Sequence, residues 1–548
     1  MAFSLITASN YYEVDTNAGL IFRVRRAGTD TNTTSYGDIM SIVYNGVEYQ
    51  DQTRGSQINS GFDWLYSTQN SQASVSATTV GTDYIKITVT ATSSIGTLTH
   101  YYMAKNGEAR IYMATYFTAE PDNLGLVRYI VRIPVNTLPN GYSSTSPVPY
   151  DIRNNTGAIE SGDIFGKSDG TTRSKHYSNM RLKDWSFIGA TGSNVGIWMV
   201  RDNQEGGSGG PFYRSLLMQT TDTSQEITYI VNYGQVQTED MRLNVLNSYT
   251  LVFNNGATPS TNIDKSWFDQ MDLLGYVGIS GRGRVTGVGI NGRDSSYGYT
   301  VGFANGQAQY WTDAAASNGF YDTGFVMLPG TYTMTIYKNE LAVDTRSVEV
   351  TAGNTTILNT ITINNDPSSA TAAWRIGNWD GTPAEFMNGD KVTIMHPSDS
   401  RMSGWKQTNF VIGSSTASQF PAYQWKDEAV SGPIIVKFNL AQPVNCTLRI
   451  GITIAYANAR PRIQLNGTVN DTSSGWWSSI PAVSDQPGTR SLTTGSYRGN
   501  NSMFPYPIPS SALVAGENTL IIYAVSGSGS SGYLSAGYSF DCIDLLQS

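Results

Sequence analysis

The sequence predicts an all-β protein of several domains, and composition, patterning and length each support this fold class. Hydrophobic residues make up 39% of the chain and charged residues only 14%, alongside 55 glycines and 33 tyrosines, which favours strands and turns over long helices. Apolar and polar residues alternate with a period of two, as at residues 84–90, where Ile85, Ile87 and Val89 share one face. At about 150 residues per domain, the 548 residues correspond to three or four domains.

Residues 1–272 are predicted to form a large antiparallel β-sandwich. Strand-like alternation recurs at residues 110–117, 127–135, 195–200 and 227–236, with few helical stripes between these segments. A chain of many strands buries its apolar faces by packing two sheets against each other.

Residues 273–365 are predicted to form a fibronectin type III-like or immunoglobulin-like module. A glycine-rich stretch from Gly275 leads into short strands, and the turn Leu328-Pro329-Gly330 precedes the clean alternation of residues 331–337. Strands at short intervals over about ninety residues are typical of such modules. The polar residues 364–369 are then predicted to link this module to the next domain.

Residues 366–548 are predicted to form a jelly-roll domain of the carbohydrate-binding type. The segment is again rich in strands and carries several tryptophans, which either stack on sugar rings or form the core. These tryptophans are Trp374, Trp379, Trp405, Trp425, Trp476 and Trp477.

Charge and targeting signals indicate a secreted protein that binds neither nucleic acid nor membranes. The net charge of −8 provides no general basic field for a polyanion, so an acidic ligand must be met by local arginines and lysines. No run of 18 apolar residues suggests a membrane span, and the first residues lack the pattern of a signal peptide, so we expect a signal already removed. Seven glycosylation sequons fit secretion, at Asn32, Asn154, Asn354, Asn445, Asn466, Asn470 and Asn500.

Few residues are suited to hold a metal ion. The two cysteines, Cys446 and Cys542, cannot form a disulfide framework or a thiolate zinc cluster, although they leave one disulfide open. The three histidines, His100, His176 and His396, lie far apart in sequence. We therefore predict no metal in the active site. Oxygen ligands such as Asp380 and Asp541 leave room for a structural calcium ion, without support from an EF-hand-like spacing.

The segment 171–177 is the strongest candidate for chemistry. Arg173, Lys175 and His176 place three groups that can be cationic within four residues of a chain otherwise poor in charge. The guanidinium of arginine matches a carboxylate, whereas the pKa of lysine falls readily beside another cation or on burial. Such a segment can bind an acidic sugar and remove a proton from it. The alternative is a solvated basic loop.

The segment 208–214 is a second, weaker candidate. Gly209, Gly210 and Pro211 predict a tight turn that brings Phe212 and Tyr213 into a cleft. In a chain with 33 tyrosines, most are core or surface residues rather than catalytic ones.

At these two segments the sequence resembles family 4 of the polysaccharide lyases, the fungal rhamnogalacturonan lyases, and the resemblance extends over nearly the whole chain. The matched motifs include Thr172-Arg173-Ser174-Lys175, Ser208-Gly209-Gly210-Pro211-Phe212, Val236-Gln237-Thr238-Glu239 and Met395-His396-Pro397-Ser398-Asp399-Ser400-Arg401-Met402. The resemblance implies a galactose-mutarotase-like catalytic β-sandwich, a fibronectin type III-like module and a jelly roll, in agreement with the three predicted domains.

The resemblance also implies a reaction and a set of site residues. The reaction is β-elimination at the uronate of the rhamnose–galacturonate backbone of pectin, without a cofactor or catalytic calcium. The lysine of the family corresponds to Lys175 and an arginine of its cleft to Arg128, while Arg173, His176 and Glu239 are further candidates for substrate binding. The histidine that follows Gly-Gly-Pro-Phe in the family is Tyr213 in this chain, so the resemblance leaves the role of Tyr213 open.

β-Elimination requires a group that neutralises the C6 carboxylate, a base for the C5 proton and an acid for the leaving O4. Arg128 or Arg173 suits the first role, Lys175 the second and Tyr213 the third, unless Tyr213 is itself the base. In galacturonate the C5 proton and O4 lie on opposite ring faces, which favours two groups. In glucuronate they lie on the same side, where one tyrosine suffices, so Tyr213 also raises the hypothesis of a glucuronate-containing rhamnose polymer.

Two other classes of function remain open. A glycoside hydrolase would use a pair of carboxylates, for which Glu160, Asp163, Glu205 and Glu239 are available but no spacing selects a pair. A non-catalytic pectin-binding protein is the other alternative. We expect a monomer that binds an acidic plant cell-wall polysaccharide, and we expect His396 to pack or hydrogen-bond within its own domain.

Overall fold

The computed structural model of the protein confirms the all-β, three-domain architecture. It describes residues 2–27, 35–59, 61–66, 73–121, 127–143, 151–160, 162–174, 177, 180–202, 205–214, 218–232, 239–406, 409–486, 491–495, 500–526 and 530–547. Strands form at each predicted segment, including residues 84–92 and 110–117. The strand predicted at 227–236 begins earlier, at Ser224, and residues 233–236 lie outside the described ranges.

The first domain contains the following strands in chain order: β1 (Ser4–Thr7), β2 (Tyr11–Asp15), β3 (Leu20–Arg25), β4 (Ile39–Tyr44), β5 (Val47–Glu48), β6 (Gln57–Ile58), β7 (Ser74–Val80), β8 (Tyr84–Thr92), β9 (Thr97–Lys105), β10 (Arg110–Phe117), β11 (Val127–Pro134), β12 (Asn140–Ser143), β13 (Gly157–Glu160), β14 (Ile164–Gly166), β15 (Thr172–Ser174), β16 (Phe187–Gly192), β17 (Val195–Arg201), β18 (Met218–Thr220), β19 (Ser224–Asn232) and β20 (Asn247–Asn254). Short 3-10 turns occupy Phe62–Trp64 and Ser266–Gln270. The described strands form four antiparallel sheets, in the orders β1-β2-β3-β4-β5, β12-β16-β17-β20-β10-β9-β8-β7, β18-β19-β11-β6 and β13-β14-β15.

The long sheet that contains β9 and β10 is buried on both faces. Successive side chains of a strand point to opposite faces, so Tyr102 joins the sandwich core while Tyr101 and Met103 join a second cluster on the outer face. Trp267 and Phe268, from the 3-10 turn Ser266–Gln270, cover that outer face. Burial on both sides explains why β9 is buried at consecutive residues rather than at alternate ones.

The second domain contains β21 (Arg284–Gly287), β22 (Ile290–Asn291), β23 (Tyr299–Ala304), β24 (Gln309–Asp313), β25 (Tyr321–Asp322), β26 (Gly330–Lys338), β27 (Leu341–Val350), β28 (Thr355–Leu358) and β29 (Ile361–Thr362), with a 3-10 turn at Ile279–Gly281. Its sheets have the orders β25-β21-β28, β22-β29 and β24-β23-β26-β27, and the pairs β21–β28 and β22–β29 are parallel. Its core also includes Val245 of the first domain and Trp379 and Cys542 of the third. The domains therefore share buried apolar surface.

The third domain contains β30 (Trp374–Gly377), β31 (Phe410–Val411), β32 (Tyr423–Trp425), β33 (Ile434–Leu440), β34 (Cys446–Tyr456), β35 (Arg460–Leu465), β36 (Trp476–Trp477), β37 (Ser502–Ile508), β38 (Gly516–Val525) and β39 (Gly537–Gln547), one helical turn, α1 (Ser491–Thr494), and 3-10 turns at Ala417–Gln419, Ser510–Ala512 and Gly532–Leu534. Its two sheets, β30-β39-β34-β37 with β32 beside β39, and β31-β33-β38-β35-β36, enclose one apolar core. Cys446 and Cys542 are both buried as unpaired thiols.

The predicted linker is held in place rather than extended in solvent. A 3-10 turn forms at Pro367–Ser369, where the Asp366 carboxylate accepts from the Ser368 amide. The Lys338 ammonium, which is 1% exposed, binds Asp366 at 2.7 Å. The second and third domains are thus joined by a charge-assisted contact in addition to the peptide chain.

The tip of the β26–β27 hairpin contacts both neighbouring domains. The Glu340 carboxylate accepts a hydrogen bond of 2.8 Å from Arg214 of the first domain. The Glu340 amide donates to the Asp380 carbonyl, and the Asn501 side chain donates to the Glu340 carbonyl, both from the third domain. The three domains therefore meet at Glu340.

Asp544 is a buried charge at the centre of the third domain. Its carboxylate accepts from the Arg449 guanidinium at 2.6 and 2.8 Å, from Arg375 at 3.0 Å and from the Trp379 indole at 2.9 Å. Burial raises the pKa of Asp544, but the hydrogen bonds from Arg449 and Trp379 outweigh it and hold that pKa below its usual value. Asp544 therefore stays ionised and satisfies buried donors.

We predict that Asp544→Leu destabilises the third domain by about 3–5 kcal/mol, because it leaves the buried Arg449 charge without its carboxylate. Differential scanning calorimetry measures the shift in the unfolding transition. The control is Glu517→Gln, which removes the exposed ion pair with Lys437 in the same domain and is expected to cost at most about 1 kcal/mol. Equal shifts for the two variants would contradict the assignment.

Candidate active site

Lys175 and His176 lie outside the described residues. The described residues nearest to them are those of β15 on one side and Tyr177 on the other. On the N-terminal side, β15 places Thr172 and Ser174 in buried positions and leaves Arg173 partly exposed. Arg173 donates to the Thr172 carbonyl at 2.8 Å. On the C-terminal side, Tyr177 is 1% exposed and its amide donates to the Ser174 carbonyl.

Arg128 is the second residue of β11, in the four-stranded sheet. Its backbone is fixed by Asn59, whose side-chain oxygen accepts from the Arg128 amide at 2.7 Å and whose amide donates to the Arg128 carbonyl. Its side chain is partly buried, and burial lowers the pKa of Arg128, partly offset by the negative charges of Glu226 and Asp163. Among the described residues, none hydrogen-bonds to this guanidinium.

The influence of Asp163 on Arg128 connects two parts of the predicted site. Asp163 immediately precedes Ile164, the register partner of Ser174 in the pair β14–β15. The fold therefore brings Arg128 within electrostatic range of Asp163, at the start of the β14–β15 hairpin. This relation was not visible in the sequence, where Arg128 and Asp163 are separated by several segments.

The predicted turn before Tyr213 is present. Gly209 and Gly210 adopt φ values of +103° and +70°, a region that side chains other than glycine rarely enter. A Cβ at Gly209 would lie 3.1 Å from the Tyr213 Cβ, so the turn and the tyrosine pack tightly. The Tyr213 carbonyl accepts from the Leu182 amide, which ties this turn to the segment that follows Lys175.

Phe212 and Tyr213 face different surroundings, contrary to the expectation that both would enter a cleft. Phe212 lines a cavity of 460 Å³ and meets the Tyr337 ring edge-on, with a centroid distance of 5.0 Å. Tyr213 is 2% exposed and belongs to the sandwich core. The two side chains therefore leave the turn toward different parts of the first domain.

Glu239 and Ser208 fix the other end of the turn. The Glu239 carboxylate accepts from the Gly209 amide at 2.5 Å and binds the Arg242 guanidinium at 2.9 Å. Ser208 donates to Asn232, the register partner of Val127. Glu239, predicted to bind substrate, thus has a structural role in holding this turn, and β19 brings the turn next to the start of β11.

Residues of the second domain bind this turn and Glu205, which precedes it in the chain. The sequence analysis did not predict these contacts. Glu205 forms a bidentate pair with Arg282 at 2.7 and 3.0 Å and accepts from the Tyr310 hydroxyl at 2.7 Å. The Gly210 amide donates to the Gln309 side chain at 3.0 Å. Gln309 carries no chemistry that would single it out in a sequence, so only the fold reveals this contact.

Three of the carboxylates considered for hydrolysis have structural partners. Glu205 and Glu239 hold arginines, and Glu160 lies 3.4 Å from the His396 ring. His100 is fully buried against Thr115, and burial lowers its pKa to about 3. His100 and His396 are thus both buried and are poorly placed for a catalytic triad.

The sequence analysis expected His396 to contact residues of its own domain. In the structure it also contacts the first domain. Its ring accepts from the Ser398 amide within that domain, but its backbone amide donates to the Thr172 hydroxyl of β15 at 3.1 Å. The expected hydrogen bonds within its own domain are present, and the contact with β15 is an additional one. The motif His396 to Met402 was the signal in the sequence that could have revealed this interface.

Asp380 and Asp541, named above as possible calcium ligands, lie together in the third domain. Asp541 accepts from the amides of Asp380 and Gly381, and Asp380 accepts from Thr382 and Asn339. Burial raises the pKa of Asp541 well above its usual value, and the nearby Asp380 charge adds to the effect. Both groups act as hydrogen-bond acceptors in a buried cluster, and the described residues contain no set of His, Cys, Asp and Glu side chains suited to a metal ion.

The tryptophans of the third domain are mostly core residues. Trp374, Trp379, Trp405 and Trp425 are at most 8% exposed. Trp477 is partly exposed, but Tyr523 stacks on it and the Arg462 guanidinium lies 4.7 Å from its ring centroid. None of the helices in the described ranges has the length and apolarity needed to cross a membrane.

Three family profiles match the chain in succession. They are "Rhamnogalacturonan lyase B, N-terminal" at residues 3–275, "Polysaccharide lyase family 4, domain II" at 281–358 and "Polysaccharide lyase family 4, domain III" at 372–545. The chain is 38% identical to rhamnogalacturonate lyase A of Aspergillus aculeatus and 38% identical to that of Emericella nidulans, over 100% of this chain and 96% of each relative. It is 36% identical to the probable rhamnogalacturonate lyase A of Aspergillus niger, over 98% of this chain and 94% of the relative. A solved structure of Paenibacillus xanthan lyase aligns with a TM-score of 0.28 and 10% identity, over 100% of this chain and 52% of the other, which is too weak to support an argument.

We predict that Gly209→Ala destabilises the protein more than Gly210→Ala. Both substitutions place a side chain at positive φ, at a cost of about 1–2 kcal/mol. Only the methyl group at position 209 also meets Tyr213, whereas the space around position 210 is open. Calorimetric unfolding of the two variants measures the difference. Equal transition temperatures would contradict the tight packing of Gly209 on Tyr213.

Glu385 gives a pH-dependent prediction, because burial and the nearby Asp380 charge raise its pKa from 4.5 to about 7. A carboxyl whose pKa is higher in the folded state favours folding at low pH, and this contribution is lost as the pH rises from 4.5 through 7. Glu385→Gln should therefore become stabilising relative to the native chain over that range. Thermal unfolding at several pH values measures the difference, and parallel curves would contradict the shift.

Proposed function

The chain belongs to polysaccharide lyase family 4, and on this basis we propose how its residues carry out the reaction. It is a carbon–oxygen lyase that cleaves the backbone of rhamnogalacturonan by β-elimination at C4–O4 of the uronate, which leaves a 4,5-unsaturated uronide. The proposal concerns the roles of Arg128, Arg173, Lys175 and Tyr213. It also includes domain boundaries at 1–272, 273–365 and 366–548.

Arg128 binds the C6 carboxylate of the uronate in this proposal, and its environment is the observation that carries the proposal. Its guanidinium is partly buried, and no described residue hydrogen-bonds to it. A partly desolvated cation attracts an anionic ligand more strongly than a fully solvated one. Charge-assisted hydrogen bonds to the carboxylate also strengthen as the enolate develops, which lowers the barrier to proton removal.

Lys175 is the proposed base for the C5 proton. A lysine can accept a proton only when it is partly neutral, and a nearby cation such as Arg173 favours the neutral form. Arg173 is one residue from the end of β15, and its guanidinium bonds back to its own strand at Thr172. Arg173 thereby adds positive charge near the base, while His176 remains a candidate for substrate binding.

Tyr213 is the proposed acid that protonates the leaving O4. In galacturonate the C5 proton and O4 lie on opposite ring faces, so the acid must come from a different side than Lys175. Tyr213 is carried by a separate segment that hydrogen-bonds to Leu182. Since the surroundings of Tyr213 are largely dry, a hydrogen bond from it to the developing alkoxide is stronger than in water.

A second candidate substrate follows from the tyrosine at position 213, where a histidine is expected from the family resemblance. On a glucuronate-containing rhamnose polymer, the proton and O4 lie on the same side, and Tyr213 would serve as base and acid in turn. Lys175 would then bind the substrate without taking its proton. The two candidates make different predictions for Lys175 and Tyr213 variants.

The substrate is a pectin polysaccharide, and its location indicates where the enzyme acts. We propose that the protein is secreted and acts extracellularly as a monomer on plant cell walls. The net charge of −8 provides no general attraction to nucleic acid, which supports recognition through a local cationic site.

We predict that Lys175→Met lowers the rate of unsaturated-uronide release from rhamnogalacturonan by at least about 10²-fold, the typical contribution of a general base. The ultraviolet absorbance of the conjugated product measures the rate. Lys437→Met, which removes a lysine on the far surface of the third domain, is the matched control and should leave the rate unchanged. A Lys175→Met enzyme with native activity would overturn the assignment.

Tyr213→Phe separates the two substrates, because it removes the hydroxyl and keeps the ring. If Tyr213 is only the acid, the variant loses activity by about 10²-fold or less on rhamnogalacturonan, and an activated leaving group at O4 restores much of the rate. Faster native turnover of a glucuronate-bearing polymer, abolished by Tyr213→Phe but not by Lys175→Met, would favour the second candidate. Binding of rhamnogalacturonan without product from either polymer would indicate a non-catalytic protein.

A further inference from the structure

The segment His396 to Arg401 of the third domain packs against β15 of the first domain. Ser400 donates to the Gly170 carbonyl at 3.0 Å, and the His396 amide donates to the Thr172 hydroxyl at 3.1 Å. His396 and Asp399 are 2% and 3% exposed, so this contact is dry. None of these residues has a part in the reaction proposed above.

Asp399 is the centre of this contact. One of its carboxylate oxygens accepts from the Thr172 amide at 2.6 Å and from the Thr172 hydroxyl at 2.7 Å. Arg401 forms a bidentate pair with the same carboxylate at 2.8 and 2.9 Å. Burial raises the pKa of Asp399, but hydrogen bonds from Arg401 and Thr172 outweigh it and lower that pKa to about 2. The Asp399 carboxylate is therefore charged at neutral pH.

The position of β15 explains why it needs this contact. Among the described strands, β15 pairs only with β14, so it is an edge strand of three residues. Such a short edge strand leaves backbone donors without a partner strand. Asp399 takes the place of that partner, because it accepts the Thr172 amide that points away from β14.

The chain after β15 also packs against the third domain, through Tyr177. The Tyr177 ring lies against Gly495, where a Cβ would approach the ring to 2.6 Å. Gly495 has a φ of +81°, so glycine meets both the steric and the backbone requirement. Contacts from the third domain thus hold both described flanks of the Lys175–His176 pair.

We propose that Asp399 of the third domain is a positioning residue for the active site, which it serves by fixing Thr172 and with it the strand that leads to Lys175. This inference rests on the proposed role of Lys175. It gives the third domain a part in building the catalytic centre, in addition to any binding of carbohydrate. Without Asp399, β15 keeps only its pairing to β14, and the base samples positions away from C5.

The test compares Asp399→Ala and Asp399→Asn with matched changes at Asp427. Asp427 is also a turn aspartate of the third domain whose carboxylate accepts backbone amides, from Ala429 and Gly532, but its described partners all belong to its own domain. Steady-state kinetics on rhamnogalacturonan are measured against pH for the full-length variants, with circular dichroism and calorimetry as checks of folding.

We expect Asp399→Ala to lower kcat by about 10–100-fold, the range for a displaced catalytic group, with KM within about twofold of the native value. The limb of the pH profile that reports the base should move to higher pH, toward the value of about 10.4 for a solvated lysine. Asp399→Asn keeps an oxygen that can accept from Thr172 and should recover part of kcat. The Asp427 variants should match the native enzyme in kcat and in pH profile.

Native kcat and an unshifted pH limb in Asp399→Ala would overturn the proposal, as would a rise in KM alone. If Asp399→Ala does not fold, Asp399→Asn and Thr172→Val decide by the same readouts, since Thr172→Val removes the hydroxyl from the other side of the contact. The Lys175→Met variant distinguishes a failure of the proposed function from a failure of the positioning role alone. An active Lys175→Met enzyme refutes the proposed function, whereas an inactive one beside a native-like Asp399→Ala refutes only the positioning role.

Discussion

Glu340 connects the three domains, and the arrangement of the active site depends on this buried carboxylate. It lies at the tip of a hairpin of the second domain, binds Arg214 of the first domain and is bonded through its backbone to the third. A buried charge is tolerated only where donors surround it, so the three domains can meet here in few relative orientations. The orientation in turn decides which surfaces reach the segments that carry Arg173 and Tyr213.

The two candidate catalytic segments are held in the same way but by different domains. The turn before Tyr213 is bonded to Gln309 and, through Glu205, to Arg282 of the second domain. The strand before Lys175 is bonded to Asp399 of the third domain. Loops that carry catalytic groups gain precision when their backbone amides have rigid partners, and here those partners come from outside the catalytic sandwich.

The tyrosine at position 213 changes the chemistry available at the site rather than its framework. A histidine can exchange protons near neutral pH, whereas a tyrosine is a weaker acid with an ordinary pKa of about 10. Tyr213 is nearly inaccessible to solvent and packs directly against Gly209.

The sequence by itself determined the fold class, the order of the three domains and the resemblance to the family, and it supplied the candidate site residues. Period-two patterning located strands such as Arg110–Phe117, because alternation reports directly which residues share a face. Local signals also predicted the turn at Gly209 and Gly210, since positive φ is a property of the residues themselves. Only the tertiary structure decided that Tyr213 faces the core while Phe212 lines a cavity, that Arg128 lies within the electrostatic influence of Asp163, and that His396 and Asp399 contact Thr172. These are relations between segments far apart in the chain, and they depend on how whole sheets and domains pack, which no local pattern of residue types encodes.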